Sequence, residues 1–167
     1  MPWHDSRMDD GQSQSPRPAA ERLFSGTSGE FEDCRFGALV ESVRRAVPDV
    51  EAVYVYGSRA SGMTRPGSDL DVALLLRPGA VLPVVERAAL AANLGGSAGC
   101  DVDLSVLDLD RGVVHAKEVV VNGTAVFVAD ALAVARFEMS VLSRYARLNE
   151  DREPVLRAYG IEGSSGG

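Results

Sequence analysis

Two short polar motifs, each joined to an apolar run, constrain this chain more than any other feature of its sequence. The Gly57-Ser58 pair directly follows one apolar run, and Asp69-Leu70-Asp71 directly precedes another. Apolar runs of this length, bounded by glycine and acidic residues, are typical of buried β-strands. The pattern therefore predicts a tight turn at the end of one strand and a pair of carboxylates at the start of the next.

Length and composition indicate a single globular domain. The chain has 167 residues, of which 46% are hydrophobic and 25% charged, and its formal net charge is -7. An acidic surface repels phosphate backbones, so we expect no extended nucleic-acid binding, although cations can bridge one nucleotide to acidic groups. Cys34 and Cys100 are expected to be reduced. No apolar run is long enough for a membrane span and no signal peptide is recognisable, so we expect a cytoplasmic protein without membrane contact.

The chain divides into a central domain and two tails. Residues 1–30 are polar and interrupted by proline and glycine, a composition that cannot bury enough apolar surface to fold, so we predict a flexible N-terminal tail. Residues 161–167 are rich in glycine and serine and are predicted to form a flexible C-terminal tail. Residues 31–160 are predicted to form the folded domain.

Within that domain the hydrophobic periodicity alternates between helix and strand. It predicts an α+β fold in which helices pack on a mixed sheet. We expect Gly95-Gly96 to end the second helix and Pro154 to break the last one. The valines of residues 112–121 would also suit a β-strand. Because turn residues bound this segment at both ends, we predict a helix here. Helices are expected at about 36–47, 82–94, 112–121 and 130–149, and strands at about 50–56, 69–76, 101–107 and 125–128.

Three aspartates are the candidate catalytic and metal-binding residues. Residues two apart in a strand face the same side, so Asp69 and Asp71 should direct their carboxylates to one place. Asp103 alternates with apolar residues in a later strand that we expect to be a neighbour of the first. Carboxylates held this close repel one another unless a cation lies between them, and such hard oxygen ligands suit Mg²⁺. Three of them can hold two divalent ions, an arrangement that catalyses in-line displacement at phosphorus.

The turn before the aspartates is a candidate phosphate-binding site. Gly57 has no Cβ and lets the backbone approach a ligand closely. The hydroxyl group of Ser58 and the backbone N–H groups of the turn could together donate hydrogen bonds to a phosphate. Arg59 and Ser68 are further candidates for nucleotide binding, although an exposed arginine and a serine at a strand entry are equally compatible with their positions. The chain has no Gly-Lys-Ser/Thr sequence and no dinucleotide-binding fingerprint, which excludes both of those nucleotide-binding motifs.

The spacing of these motifs resembles that of the polymerase-β-type nucleotidyltransferase superfamily. Its pattern is Gly-Ser, about ten residues, Asp-x-Asp and an Asp in a later strand, which matches Gly57-Ser58, Asp69, Asp71 and Asp103. The resemblance implies a polymerase-β-like fold with a mixed sheet of about four strands, two Mg²⁺ ions and ATP as a substrate. It also implies that Asp103 helps to deprotonate the incoming hydroxyl group.

The chain from about residue 36 to 159 is similar to the minimal nucleotidyltransferases, many of which are antitoxins paired with a HEPN-domain ribonuclease toxin. That resemblance implies transfer of AMP from ATP to a tyrosine of the toxin, which silences it, and a hetero-oligomer of the two proteins.

Two other functions are compatible with the sequence. The enzyme could modify a small hydroxylated molecule such as an aminoglycoside, but such enzymes usually add a helical domain, and here a single helix follows the core. This favours a protein acceptor. The chain could also neutralise a toxin by binding alone, with the metal motif a relic. A relic would be expected to lose at least one residue of the motif, but Gly57, Ser58 and all three aspartates are present.

Overall fold

The computed structural model describes residues 30–59 and 68–158. In these residues the order of elements is helix, strand, strand, helix, strand, helix, strand, helix, as predicted. The predicted flexible tails lie outside the described residues, apart from Glu30. The helices are α1 (Glu30–Ala46), α2 (Val84–Ala98), α3 (Val113–Asn122) and α4 (Ala131–Ala158), and the strands are β1 (Val50–Tyr56), β2 (Leu70–Leu76), β3 (Val102–Val106) and β4 (Thr124–Val128).

The four strands form one mixed sheet in the order β3–β2–β1–β4. Strand β1 runs antiparallel to both β2 and β4, whereas β2 and β3 are parallel. Parallel neighbours need a crossover connection, and α2 supplies it between β2 and β3. This topology confirms the predicted α+β class and makes β2, which carries Asp71, an interior strand of the sheet.

Helices cover both faces of the sheet, so each strand alternates between two apolar cores. On one face α1 and α2 pack against Val53, Val55, Val72 and Leu74 of the central strands. On the other face α3 and α4 pack against residues of opposite parity. That second core includes Ala52, Tyr54, Ala73, Leu75 and Leu107 from the sheet and its margin, with Ala116, Val119, Val120, Val134 and Val141 from the helices.

Two predicted helix ends are wrong. Helix α2 continues through Gly95-Gly96 to Ala98 and ends at Gly99, whose left-handed backbone (φ 68°) directs its N–H to the Gly95 carbonyl, 2.9 Å away. A Cβ on Gly95 would lie 3.0 Å from the Cys100 carbonyl oxygen, so this glycine allows the chain to fold back on the helix rather than ending it. Helix α4 also continues through Pro154, since proline removes one backbone hydrogen bond and can be tolerated without a break.

No helix in the described part of the chain is long and apolar enough to cross a membrane.

The N-terminus of α4 is fixed by a local cap. Asp130 accepts hydrogen bonds from the backbone N–H groups of Leu132 and Ala133 at 2.9 and 3.1 Å. Such a cap satisfies donors that have no partner within the helix.

One buried polar contact attaches α4 to the sheet. The Tyr54 hydroxyl donates a hydrogen bond to Oε1 of Glu138 at 3.1 Å, and the two residues are 1% and 5% exposed. Glu138 is the only buried charged residue among those described. A carboxyl group placed in an apolar core depends on its hydrogen bonds, so this contact fixes how α4 lies on β1.

Substitution of Tyr54 tests that role. Tyr54→Phe should lower the free energy of unfolding by about 1–3 kcal/mol, because a buried carboxyl group loses a hydrogen bond. Tyr145→Phe is the control, since the Tyr145 hydroxyl has no hydrogen-bond partner among the described residues. Its effect should stay within about 0.5 kcal/mol. Urea unfolding followed by circular dichroism measures both, and equal losses would contradict the structural role of the Tyr54 contact.

Candidate active site

The sheet brings two of the predicted carboxylates together in one row of residues. Tyr56 at the end of β1 pairs with Asp71 on β2, and Asp71 pairs with Asp103 on β3. Adjacent strands are about 4.8 Å apart and paired residues point to the same face of a sheet. The row therefore presents a phenol and two carboxylates side by side, on the face that α3 and α4 cover farther along the strands.

The third predicted carboxylate lies next to this row. Asp69 stands one residue before β2 and is exposed, and Leu70 anchors the strand entry by donating its N–H to the Asp101 carbonyl at 2.8 Å. Leu70 is buried in the opposite core with Val72 and Leu104. The alternation predicted from the sequence is thus present, with apolar residues inside and the three aspartates at one end of the sheet.

The glycine of the Gly-Ser turn lies against one of these carboxylates. Gly57 begins a short 3₁₀ turn, Gly57–Arg59, with φ at 73°. A Cβ placed on Gly57 would overlap Oδ2 of Asp71 and would lie 3.0 Å from its Cγ. Glycine is therefore required here twice, by the left-handed backbone and by the approach of Asp71.

Burial and neighbouring negative charges act together on one carboxyl group of the site. The pKa of Asp71 is raised, first by burial and then by the negative charges of Asp103 and Asp69. Each of these effects disfavours the charged form of Asp71, and a cation beside the three groups would reverse them. The donor set thus fits a hard divalent cation. Within the described residues, however, no three His, Cys, Asp or Glu side chains are gathered closely enough to hold a metal ion as they stand.

The other predicted nucleotide-binding residues flank the turn and the strand entry. Ser58 is exposed in the 3₁₀ turn, and Ser68 is half-buried directly before Asp69. The backbone of Arg59 closes the same turn. The loop between the turn and Ser68, residues 60–67, lies outside the described residues, so this part of the predicted site stays a prediction.

Three residues of the site were missed by the sequence analysis. Tyr56 lies in the row itself. Burial raises the pKa of its phenol, and a hydrogen bond with Ser105 on β3 lowers it. His115 of α3 places Nε2 3.1 Å from Oγ of Ser105. Strand alternation could have identified Tyr56 and Ser105, since Ser105 follows Asp103 by two residues. His115 carries no such signal, because only the packing of α3 on the sheet brings it here.

The chain contains a second Asp-Leu-Asp tripeptide, and its surroundings are different. Asp108 and Asp110 flank Leu109 in the exposed turn after β3. Oδ1 of Asp108 accepts the N–H of Asp110 at 2.8 Å, and Arg144 binds the Asp110 carboxylate at 2.6 Å. These carboxylates are used for local turn structure and a surface ion pair, so the tripeptide alone does not define a site.

Gly57→Ala should separate the function of the turn from its stability. The added methyl group strains a left-handed residue by about 1–2 kcal/mol. It should also displace the Asp71 carboxylate and weaken binding of Mg²⁺ with a non-hydrolysable ATP analogue by about tenfold or more. Calorimetric titration measures this affinity and thermal unfolding measures stability.

Gly99→Ala is the matched control. Gly99 has nearly the same φ, 68°, but open space around the position of a Cβ. It should lose a similar amount of stability and keep its nucleotide affinity. Equal nucleotide affinity in the two variants would show that the contact between Gly57 and Asp71 does not matter for binding.

Comparison with known proteins agrees with this geometry. The family model described as Polymerase beta, Nucleotidyltransferase matches residues 39–131. A curated relative, the protein adenylyltransferase MntA of Shewanella oneidensis, is 27% identical over 122 residues, which are 71% of this chain and 82% of that relative.

Solved structures show the same fold. A toxin–antitoxin structure with AMP-PNP superposes with a TM-score of 0.66 at 23% identity, covering 77% of this chain and 98% of that chain. A complex of tri-AMPylated Shewanella oneidensis HEPN toxin with MNT antitoxin gives a TM-score of 0.64 at 22% identity, with coverage of 77% and 98%. The predicted polymerase-β-like fold is confirmed. The family match spans the Gly57-Ser58 turn and all three aspartates, and the chain belongs to the polymerase beta nucleotidyltransferase family.

Proposed function

We propose that this protein is an antitoxin that transfers AMP from ATP to a tyrosine of a HEPN-domain toxin and thereby neutralises it. The observation that carries the proposal is the row of Asp71 and Asp103 against the glycine of the Gly57-Ser58 turn. The relative named protein adenylyltransferase and the structural likeness to toxin–antitoxin complexes support the choice of a protein acceptor.

Each part of the site has a role in this proposal. Asp69, Asp71 and Asp103 would hold two Mg²⁺ ions, which supply positive charge to the phosphates when bound. The backbone of Gly57 and the hydroxyl of Ser58 would hold the triphosphate. Arg59 and Ser68 would add further contacts to the phosphates. Burial raises the pKa of Asp71 and the charges of Asp103 and Asp69 raise it further, so a cation bound beside the three groups would favour the charged form of Asp71.

The proposed reaction is a displacement at the α-phosphorus of ATP. The hydroxyl oxygen of the acceptor tyrosine forms a bond to this phosphorus, and the bond from the α-phosphorus to the bridging oxygen breaks. Pyrophosphate leaves with that bonding electron pair. The hydroxyl proton passes to the carboxylate of Asp103, which is exposed near the start of β3 and can be reached by an incoming acceptor.

We also propose a partner and a cellular location for the enzyme. A HEPN toxin is the partner in a hetero-oligomer, and the ATP requirement fits the cytoplasm. The net charge of -7 disfavours an extended nucleic-acid substrate.

Replacement of the acidic pair tests the reaction directly. Asp69→Asn with Asp71→Asn keeps the shape of both side chains and removes their charge, so AMP transfer from ATP to the purified toxin partner should fall by about 10³-fold or more. Mass spectrometry of the partner detects the added AMP and locates the modified residue. The matched control is Asp108→Asn with Asp110→Asn, which changes the same tripeptide at the surface turn and should leave transfer intact.

The same variants separate catalysis from binding. An adduct on a tyrosine that is lost only in the first variant supports the proposal. Absence of any adduct with the wild-type protein, or equal adducts with both variants, would contradict it. If the first variant still neutralises the toxin without an adduct, neutralisation is by binding alone.

A further inference from the structure

A hydrogen-bonded cluster beside the carboxylates is not used by the proposed reaction. Oγ of Ser105 lies 3.1 Å from Nε2 of His115 and 3.4 Å from the Val72 carbonyl oxygen, and it also bonds to the Tyr56 side chain. The rings of Tyr56 and His115 meet edge to face, with centroids 5.5 Å apart and an interplanar angle of 71°. Ser105 is therefore the centre that joins β1, β2, β3 and α3 at this end of the sheet.

The sheet register fixes the path of the Tyr56 side chain. Tyr56 is on β1 and Ser105 on β3, so the phenol crosses β2 to reach its partner. The β2 residue that pairs with Ser105 is Ala73, which is fully buried and has the smallest side chain that carries a Cβ. Beside it on the same face of β2 is Asp71. The crossing phenol consequently lies near both carboxylates. Burial is the main cause that raises the pKa of Tyr56, and the charges of Asp71 and Asp103 raise it further.

The hydrogen-bonding capacity of serine accounts for all three contacts. A serine hydroxyl donates one hydrogen bond and accepts two. Burial raises the pKa of Tyr56, and the contact with Ser105 lowers it, as a hydrogen bond donated to the phenol oxygen does. The Ser105 proton is therefore shared between this oxygen and the Val72 carbonyl, 3.4 Å away. With the proton of His115 on Nε2, Oγ accepts from His115, whose ring also contacts the Tyr56 ring.

We propose that His115 is a positioning residue which, through Ser105, holds the Tyr56 phenol across β2 and thereby fixes the Asp71 and Asp103 carboxylates for cation binding and nucleotidyl transfer. The inference deepens the proposed function and rests on it only for the reaction that the cluster serves. Groups that orient metal ligands from outside the ligand set commonly change metal affinity or activity by about 10–100-fold when removed.

The experiment measures Mn²⁺ affinity of the purified protein by electron paramagnetic resonance, together with steady-state AMP transfer to the toxin partner. Tyr56→Phe and His115→Ala should each weaken Mn²⁺ binding about tenfold and lower kcat to a similar extent, with the KM for ATP changed less than about twofold. His115→Gln keeps an N–H donor near the position of Nε2 and should recover most of the affinity. Asp69→Asn with Asp71→Asn should abolish binding, which assigns the Mn²⁺ to this site.

Tyr54→Phe is the matched control, because it removes a tyrosine hydroxyl from the same face of the same strand. Its hydroxyl bonds to the buried Glu138 of α4, so thermal stability should fall while Mn²⁺ affinity and kcat stay unchanged. The inference is overturned if Tyr56→Phe and His115→Ala keep wild-type affinity, if Tyr54→Phe loses as much, if His115→Gln recovers nothing, or if the wild type binds no Mn²⁺. Should the wild type bind Mn²⁺ but transfer no AMP, the proposed function fails, and the affinities alone still decide the role of the cluster.

Discussion

The register of β2 between its two neighbours is the constraint on which the rest of the site depends. It places Asp71 opposite Tyr56 on one side and opposite Asp103 on the other. A slip of one residue would turn every side chain of β2 to the other face and bury Asp71 in an apolar core. The fully buried residues Val72 and Leu74 prevent that slip, because they would have to leave the core that α1 and α2 cover.

The apolar side of the same strands offsets the electrostatic cost of the site. Carboxylates close together repel one another, and the raised pKa of Asp71 records this together with its burial. Leu70, Val72 and Leu104 alternate with the acidic residues and are buried on the opposite face. Strand pairing and burial therefore keep Asp71 and Asp103 side by side on one face of the sheet.

The two tyrosines of β1 show how one face of the sheet serves both stability and the site. Tyr54 lies under α4 and bonds to the buried Glu138, whereas Tyr56, two residues farther on, bonds to Ser105 beside the carboxylates. The helical layer thus covers one part of this face and leaves the acidic end accessible, and His115 at the start of α3 stands at the boundary between the two.

Sequence reasoning predicted the elements and the acidic residues because both depend on local patterns. Alternation located β2 and β3, and the expectation that these strands are neighbours joined Asp103 to Asp69 and Asp71 independently of the family resemblance. The predicted end of α2 was wrong because the left-handed Gly99, and not Gly95-Gly96, ends the helix. His115 was assigned no role because it joins the site only through the packing of α3 on the sheet. The Asp108-Leu109-Asp110 turn shows that the same tripeptide also occurs at the surface, where its carboxylates serve a turn and an ion pair.

We propose that divalent cations and a nucleotide bind at the end of the β1–β2–β3 row. A crystal structure with Mn²⁺ and a non-hydrolysable ATP analogue is the decisive experiment, since anomalous scattering locates the metal without assumptions about the ligand. We expect anomalous peaks within coordination distance of the carboxylates of Asp69, Asp71 and Asp103, with the phosphates of the nucleotide at the Gly57-Ser58 turn. Mn²⁺ and nucleotide bound elsewhere on the protein, with these carboxylates free of metal, would contradict it.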